Sequence, residues 1–478
     1  MNLRRASVSG LSWSAVSETT SAILQVLQLF ILARILDASD FGIFAIALTV
    51  VSMISIFADS GMNDAIIQKR SPTRQQLSSL YWLNLGIGVI LFLFIMLVLN
   101  PVSSFFEDDR IAVLLMLCAV PIVVGAIGHQ FGLLLQRQLR FRDLAAVELA
   151  AAILGSASTI VAAFAGAGVY ALVAGQLVGS AVTTLCLVFL GRRHWWPSLH
   201  FDRKDLKGYL DFGAFMMAQR IVETVANQID KFLVGAFLGT DILGAYYLAL
   251  RIAELPLQRF MAVSMRVLLP VMSIIQNDKD ALKAGYLLSA RGLAIVGFPL
   301  SLGVVVTAEW IVPILFGSGW QQAVFPLQAL TLANIFVFIN IPGHALVLAR
   351  GHARLKFIWS LQISSMRLIA VLLGLWFGGL FGLVIAILLF RVVAVWPFYR
   401  LMVRSQLGPV FGEIARSIFP AALATGAMTL AVMWVMALLE DKTIAHLGAV
   451  VVFGAAFYIA LILLFQGKEL REFRAFRQ

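Results

Sequence analysis

Charge is scarce in this chain. Asp, Glu, Lys and Arg make up 13% of its 478 residues, against about 25% in a soluble domain. Hydrophobic residues account for 61%, and the mean hydropathy is +0.93. A water-soluble fold of this size cannot cover so much apolar side chain with polar surface, which excludes a soluble enzyme, a disordered tail and a disulfide scaffold. Cysteine is nearly absent: Cys118 and Cys186 lie inside apolar runs, without disulfide or metal spacing. The six histidines are scattered without ligand spacing and no Walker A loop occurs, so neither a metal nor a cofactor is expected, and no catalytic set stands out. One near-match to a dinucleotide loop, GAGVYA at 166–171, sits between two apolar runs with no strand before it and reads as a helix-breaking turn.

What the chain does contain is long apolar runs. A membrane span needs about 20 mostly apolar residues. Such runs, broken by charge, Gly and Pro, fall at roughly 12–35, 41–65, 78–99, 111–135, 144–165, 169–190, 210–237, 243–272, 286–308, 322–347, 356–377, 380–402, 413–438 and 445–465. The expected fold class is an all-α polytopic membrane protein of about 14 helices. The first run follows MNLRR but carries Glu18, Gln25 and Gln28 and has no small-residue cleavage site, so it reads as an uncleaved span.

The surplus of Lys+Arg (36) over Asp+Glu (25) is mostly topological. With the N-terminus cytoplasmic, alternate connecting segments and the tail hold 24 basic residues, while the intervening segments hold only Arg110 and Lys442. That alternation follows the positive-inside rule and places both termini in the cytoplasm. It also removes the usual reading of a basic chain as a nucleic-acid binder. The longest connection, 191–209, is expected to anchor at the headgroups through Trp195 and Trp196. The basic tail KELREFRAFR reads as a short helix on the anionic inner leaflet.

An internal repeat organises the spans. Shifting by 202 residues aligns LDASDFGIFAIAL (36–48) with LGTDILGAYYLAL (238–250), so that Gly42 meets Gly244 and Leu36 meets Leu238. Weaker echoes pair Arg137 with Arg350 and GVYALVA (168–174) with GLFGLVI (379–385). Spans 1–6 are thus expected to recur as spans 7–12 in the same orientation, giving two pseudo-symmetric lobes about a central cavity. The expected division is an N-lobe at 1–191, a cytoplasmic linker at 192–209 and a C-lobe at 210–404. Two further spans at 405–466 and a basic cytoplasmic tail at 467–478 complete it.

Polar stripes follow the same repeat. Span 1 carries Ser14, Ser17, Glu18, Ser21, Gln25 and Gln28; span 7 carries Arg220, Glu223, Asn227 and Asp230 at the shifted positions. Spans 2 and 8 pair Thr49, Ser52, Ser55 and Asp59 with Arg251, Glu254, Gln258 and Arg259. Charges within a span face protein or water rather than lipid. The candidate cavity set is therefore Glu18, Gln25, Gln28, Asp59, Arg220, Glu223, Asn227, Arg251, Glu254 and Arg259, with Arg367 and Arg391 from spans 11 and 12. Two readings stand side by side: pairing across helices that holds the lobes, or guanidinium groups that attract an anion such as phosphate, which the planar Arg fork suits. Arg34, Arg266 and Arg291 lie near span ends and read as snorkelling cations. Pro256, Pro270, Pro299 and Pro342 interrupt spans 8–10 as candidate hinges.

Several segments carry a family resemblance: ISIFADSGMNDAIIQKR (54–70), LYWLN (80–84), QRQLRFRD (136–143), RVLLPVMSIIQNDKDAL (266–282) and LFGSGWQQAVFPLQAL (315–330). With these the chain resembles Wzx-type lipid-linked oligosaccharide flippases of the colanic acid exporter kind, within the multidrug/oligosaccharidyl-lipid/polysaccharide superfamily. The resemblance implies two six-helix lobes plus two terminal helices, alternating access and an undecaprenyl-diphosphate-linked oligosaccharide as cargo. It also implies the bacterial inner membrane and cooperation with a polymerase and export machinery. The chain is expected to act as a monomer among membrane lipids, without nucleic acid. No residue role carries over from the family. Competing readings are a cation-coupled drug antiporter of the same architecture, disfavoured by the Arg content, and a membrane polymerase or ligase, disfavoured by short outer loops.

Overall fold

In hydrocarbon a backbone must satisfy its own hydrogen bonds, and long apolar runs do so as helices. The computed structural model describes residues 3–58, 73–138, 140–206, 210–439 and 441–475, and the side chains of all of these except 3–16, 210–219, 353 and 466–475. Among the described residues every regular element is helical. The long helices, in chain order, are α1 (Leu3–Ile35), α2 (Ala38–Ser55), α3 (Arg74–Phe105), α4 (Arg110–Arg137), α5 (Phe141–Phe164), α6 (Tyr170–Gly191) and α7 (Leu210–Leu238). Then come α8 (Thr240–Ile274), α9 (Lys279–Ile311), α10 (Val324–Ala349), α11 (Ala353–Phe398), α12 (Phe411–Leu438) and α13 (Ile444–Ala475).

Twelve helical stretches are long and apolar enough to cross a membrane among the described residues. That count takes α11 and its extension as one and omits α7, which carries Arg220, Glu223, Asp230 and Lys231. Adding α7 and separating the arms of α11 gives the expected figure of about fourteen. The arms part at Gly378 and Gly379; Gly379 has φ 55, a left-handed conformation that an L side chain rarely adopts. At 165–169 the chain turns with Gly166 and Gly168 at positive φ, so GAGVYA is a turn between α5 and α6. The prolines of spans 8–10 lie within continuous helices: α8 runs through Pro256 and Pro270, α9 through Pro299 and α10 through Pro342.

Local chemistry fixes the helix starts. Thr73 and Gln76 form a reciprocal capping box at α3, and Asp278 accepts the Asp280 and Ala281 amides at α9. The chain divides into two compact units, 1–244 and 245–478. In the first, α1 packs on α5, α4 on both α3 and α6, α5 on α6, and α2 on α4 and α7. In the second, α9 packs on α10 and α12, α10 on α11, and α12 on α13.

Two features differ from expectation. Trp195 is buried (6% exposed) against Tyr81 and Phe131, with ring centroids 5.8 and 5.5 Å away, whereas Trp196 is 63% exposed. Only Trp196 is thus available as an interfacial anchor. The reason is the stitching of the connection to α3: Trp82 Nε1 donates to the Ser198 carbonyl (2.8 Å), and the Ser79 hydroxyl donates to Asp205 (2.8 Å). The basic tail, expected as a separate helix, continues α13 to Ala475 without a break. At about 1.5 Å per residue its 32 residues outrun a hydrocarbon core of about 30 Å.

The repeat is visible inside the first unit. A methyl group on Gly42 of α2 would overlap the Thr240 carbonyl oxygen, and one on Gly244 would overlap the Ala38 carbonyl oxygen. These two contacts exchange under the same 202-residue shift, and the Ser39 and Thr240 hydroxyls lie 3.4 Å apart beside them. Repeat-related positions that touch each other's partners mark a local pseudo-two-fold relation.

Candidate functional site

The polar positions predicted from the repeat occupy three different environments. On α1, Glu18, Gln25 and Gln28 are half-buried. Gln28 accepts a 2.9 Å hydrogen bond from Ser156 of α5, and the neighbouring Ser17 donates to the Ala145 carbonyl at 3.0 Å. Part of the α1 stripe therefore holds α1 against α5. On α7, Arg220 and Glu223 are half-buried and Asn227 is exposed, and all three are engaged by neighbouring groups. Asp230, only 1% exposed, accepts the Lys231 amide at 3.0 Å, while Lys231 Nζ donates to Gln228 at 2.7 Å. Asp59 lies outside the described residues.

The α8 stripe is arranged the other way round from a lipid-facing span. Its apolar residues Leu250, Ala253 and Leu257 are buried, whereas Arg251 and Gln258 are exposed and Glu254 and Arg259 half-buried. Gln258 donates to Glu254 at 3.2 Å. Beyond this stretch Met261, Val263, Val267 and Val271 are exposed. Over 250–259, where these apolar residues are buried and Arg and Gln are presented, the polar side cannot meet hydrocarbon without a cost of about 2.5–3.5 kcal/mol per charge. The polar face of α8 is therefore suited to water or to an ionic solute.

Arg367 and Arg391 come from the two arms of α11, and both are half-buried. Arg391 donates to Asn334 Oδ1 of α10, and Asn334 Nδ2 donates to the Ala253 carbonyl of α8 at 2.8 Å. Three helices are joined by this one buried amide. Asn334 was not singled out by sequence reasoning; a lone amide within the apolar stretch LTLANIFVF is the signal that points to it. The Lys283–Glu413 ion pair (2.7 Å), which ties α9 to α12, has no such local signal because its partners are far apart in sequence.

Charge also gathers in the short connection between α3 and α4. Arg110 pairs with Asp108 at 2.8 Å and with Asp40 at 3.3 Å. The hydrogen bond from Arg110 holds the Asp108 carboxyl below its ordinary range. Among the described residues no group of three or more His, Cys, Asp and Glu is placed to hold a metal.

An all-helical, multi-pass protein with an ionic face on one span and a pseudo-repeat in its helices has the build of a membrane transporter. The chain belongs to the polysaccharide biosynthesis protein family, whose model matches residues 31–325. It is 27% identical to the lipopolysaccharide biosynthesis protein WzxC of Escherichia coli K12 over 88% of this chain and 85% of that protein. It is 28% identical to the teichuronic acid biosynthesis protein TuaB of Bacillus subtilis, over 74% and 73% of the two chains. In fold it matches the lipid II flippase MurJ in an inward closed conformation, with a TM-score of 0.80, 15% identity, and 96% and 99% coverage. The resemblance to Wzx-type proteins read from the sequence is borne out.

Proposed function

We propose that the chain flips an isoprenoid-diphosphate-linked oligosaccharide repeat unit from the inner to the outer leaflet of the bacterial inner membrane, by alternating access and without covalent chemistry. The product serves exopolysaccharide, capsule or lipopolysaccharide assembly, handed on to a polymerase and export machinery. The chain works as a monomer with both termini cytoplasmic, and its repeat divides it into lobes at 1–191 and 210–404. The observation that carries the reading is the exposed ionic face of α8 opposite a buried apolar face. A glycan diphosphate cannot enter hydrocarbon, whereas its prenyl chain can remain there. The guanidinium groups of Arg220, Arg251, Arg259 and Arg367 are the groups offered to the diphosphate. Glu18, Gln25, Asp59, Glu223, Asn227 and Glu254 supply hydrogen bonds to sugar hydroxyls, while Gln28, held by Ser156, keeps α1 against α5. Arg391 acts from Asn334, as a brace behind that face. The family match supports the polysaccharide pathway, and the names of the relatives support the class of cargo.

Deletion of the gene followed by analysis of lipid-linked glycans tests the reading. Intact repeat units should accumulate on the cytoplasmic leaflet. Outward-facing, unpolymerised units would instead assign the chain to polymerisation, and unchanged glycans with altered drug resistance would assign it to drug export.

A further inference from the structure

The two arms of α11 form a hairpin that is closed at one end and open at the other. Near the Gly378–Gly379 turn the arms touch: the backbones of Gly374 and Gly382 leave no room for a methyl group, and Ala386 packs beside them. Toward the other end they part around a cavity of about 500 Å³, within the size range of ligand sites. Its walls are apolar, with Trp359 and Met366 on the first arm and Phe390, Val393, Pro397 and Leu401 on the second. Met366 and Val393 are 53% and 65% exposed, so the outer side of the groove stands open, while buried Trp359, packed on Phe398, closes its inner side.

The open end is basic. Lys356 lies one helical turn before Trp359 on the same face, and Arg354 lies just beyond it. Where the second arm runs on past Phe398, Met402 and Val403 are buried while Arg400, Leu401 and Arg404 are exposed, so two guanidinium groups flank the last apolar wall residue. None of these four cations makes an ion pair among the described residues. An apolar slot that ends in uncompensated cations complements a molecule with a hydrocarbon chain and an anionic head. Basic pockets between membrane helices bind anionic lipid headgroups in this way.

We propose that this groove is a resident site for an anionic phospholipid, its acyl chain between the arms of α11 and its phosphate at Lys356, Arg400 and Arg404. The wall residues 390–401 span about 16 Å of helix, a length that suits one acyl chain and is several-fold short of a long isoprenoid. The lipid fills the space that the splayed hairpin leaves and holds its open end at one spacing. The site lies wholly within the second compact unit and does not depend on the cargo proposed above.

Native mass spectrometry of the purified full chain, delipidated and then offered phosphatidylglycerol or phosphatidylethanolamine, tests the site. The wild type should retain one phosphatidylglycerol at least tenfold more than phosphatidylethanolamine. Val393→Trp, which fills the groove from an exposed position, should lower retention of both lipids several-fold. Lys356→Gln combined with Arg404→Gln should remove the preference for the anionic lipid while leaving residual binding. Thermal unfolding of each variant without lipid, matching the wild type, separates lost binding from lost folding. Equal retention of the two lipids by the wild type, or retention unaffected by Val393→Trp, would overturn the proposal. Displacement of phosphatidylglycerol by stoichiometric undecaprenyl phosphate would also overturn it, by assigning the groove to the cargo's own chain.

Discussion

The stripes of α1 and α8 read alike in the sequence and differ in the folded chain. Both repeat polar residues at three- and four-residue spacing along a span of mostly apolar composition. On α1 the side chains are neutral at Ser17 and Gln28, and these reach α5 through hydrogen bonds of 3.0 and 2.9 Å. On α8 the stripe is ionic, and Arg251 stands exposed while the apolar face behind it is buried. Polarity in a membrane span therefore serves two ends. A neutral stripe can be consumed in helix–helix contact at about 0.6 kcal/mol per bond, whereas a charged stripe that stays open is costly unless it meets water or an ion.

This contrast can be broken experimentally, and the largest effect is expected on transport. Arg251→Ala and Arg259→Ala should each lower polysaccharide export on the order of tenfold or more, the loss of one charge-assisted hydrogen bond of about 1.5–3 kcal/mol, with protein levels unchanged on immunoblots. Normal export in both would place the α8 stripe with the structural one. Next comes the brace behind it. Asn334→Ala removes the acceptor offered to Arg391 and the bond to the Ala253 carbonyl and should destabilise the protein by about 2–3 kcal/mol, read from unfolding in mixed micelles. Asn334→Asp, which keeps an acceptor for Arg391, should recover part of that loss.

A smaller effect is expected on α1. Ser156→Ala removes the bond to Gln28 and should cost about 0.6–1 kcal/mol in the same unfolding measurement, with export retained. Abolished export from a stably folded Ser156→Ala would show that Gln28 does more than hold α5. The smallest lies in the α3–α4 connection. Asp108 has its carboxyl pKa lowered by Arg110, so its contribution is present above the unfolded-state value and lost as pH falls through the folded one. Because Arg110 is 47% exposed, solvent screening keeps that contribution below about 1 kcal/mol. Asp108→Asn should therefore lower the melting temperature slightly at neutral pH, and the difference should vanish in acid.

Helices, turns and the pairing of Gly42 with Gly244 were legible in the sequence because each is written locally. Long apolar runs force helices, Gly166, Gly168 and Gly379 mark turns by their backbone freedom, and the 202-residue shift survives in the sequence as paired glycines. Contacts between distant residues were not legible. Trp195 has the composition of an interfacial anchor, and only the bonds from Trp82 and Ser79 to the connection turn it inward. Asn334 acquires its role from Arg391 and Ala253, one 57 residues later and the other 81 residues earlier. The groove in α11 is a property of how two arms diverge, which composition does not encode. Of the candidate site, the α8 face was foreseen as a polar surface, while the partners consumed on α1 and the brace at Arg391 were visible only in three dimensions.

The paired glycines carry a mechanical consequence. Gly42 against Thr240 and Gly244 against Ala38 form a clasp whose two jaws are copies of one another, closed by backbone rather than by side chains. A side chain at either glycine would meet a carbonyl and force the two backbones apart, so each jaw holds its chains closer than any other residue would allow. The two jaws lie 202 residues apart in the chain, so one short sequence element serves twice in the same contact.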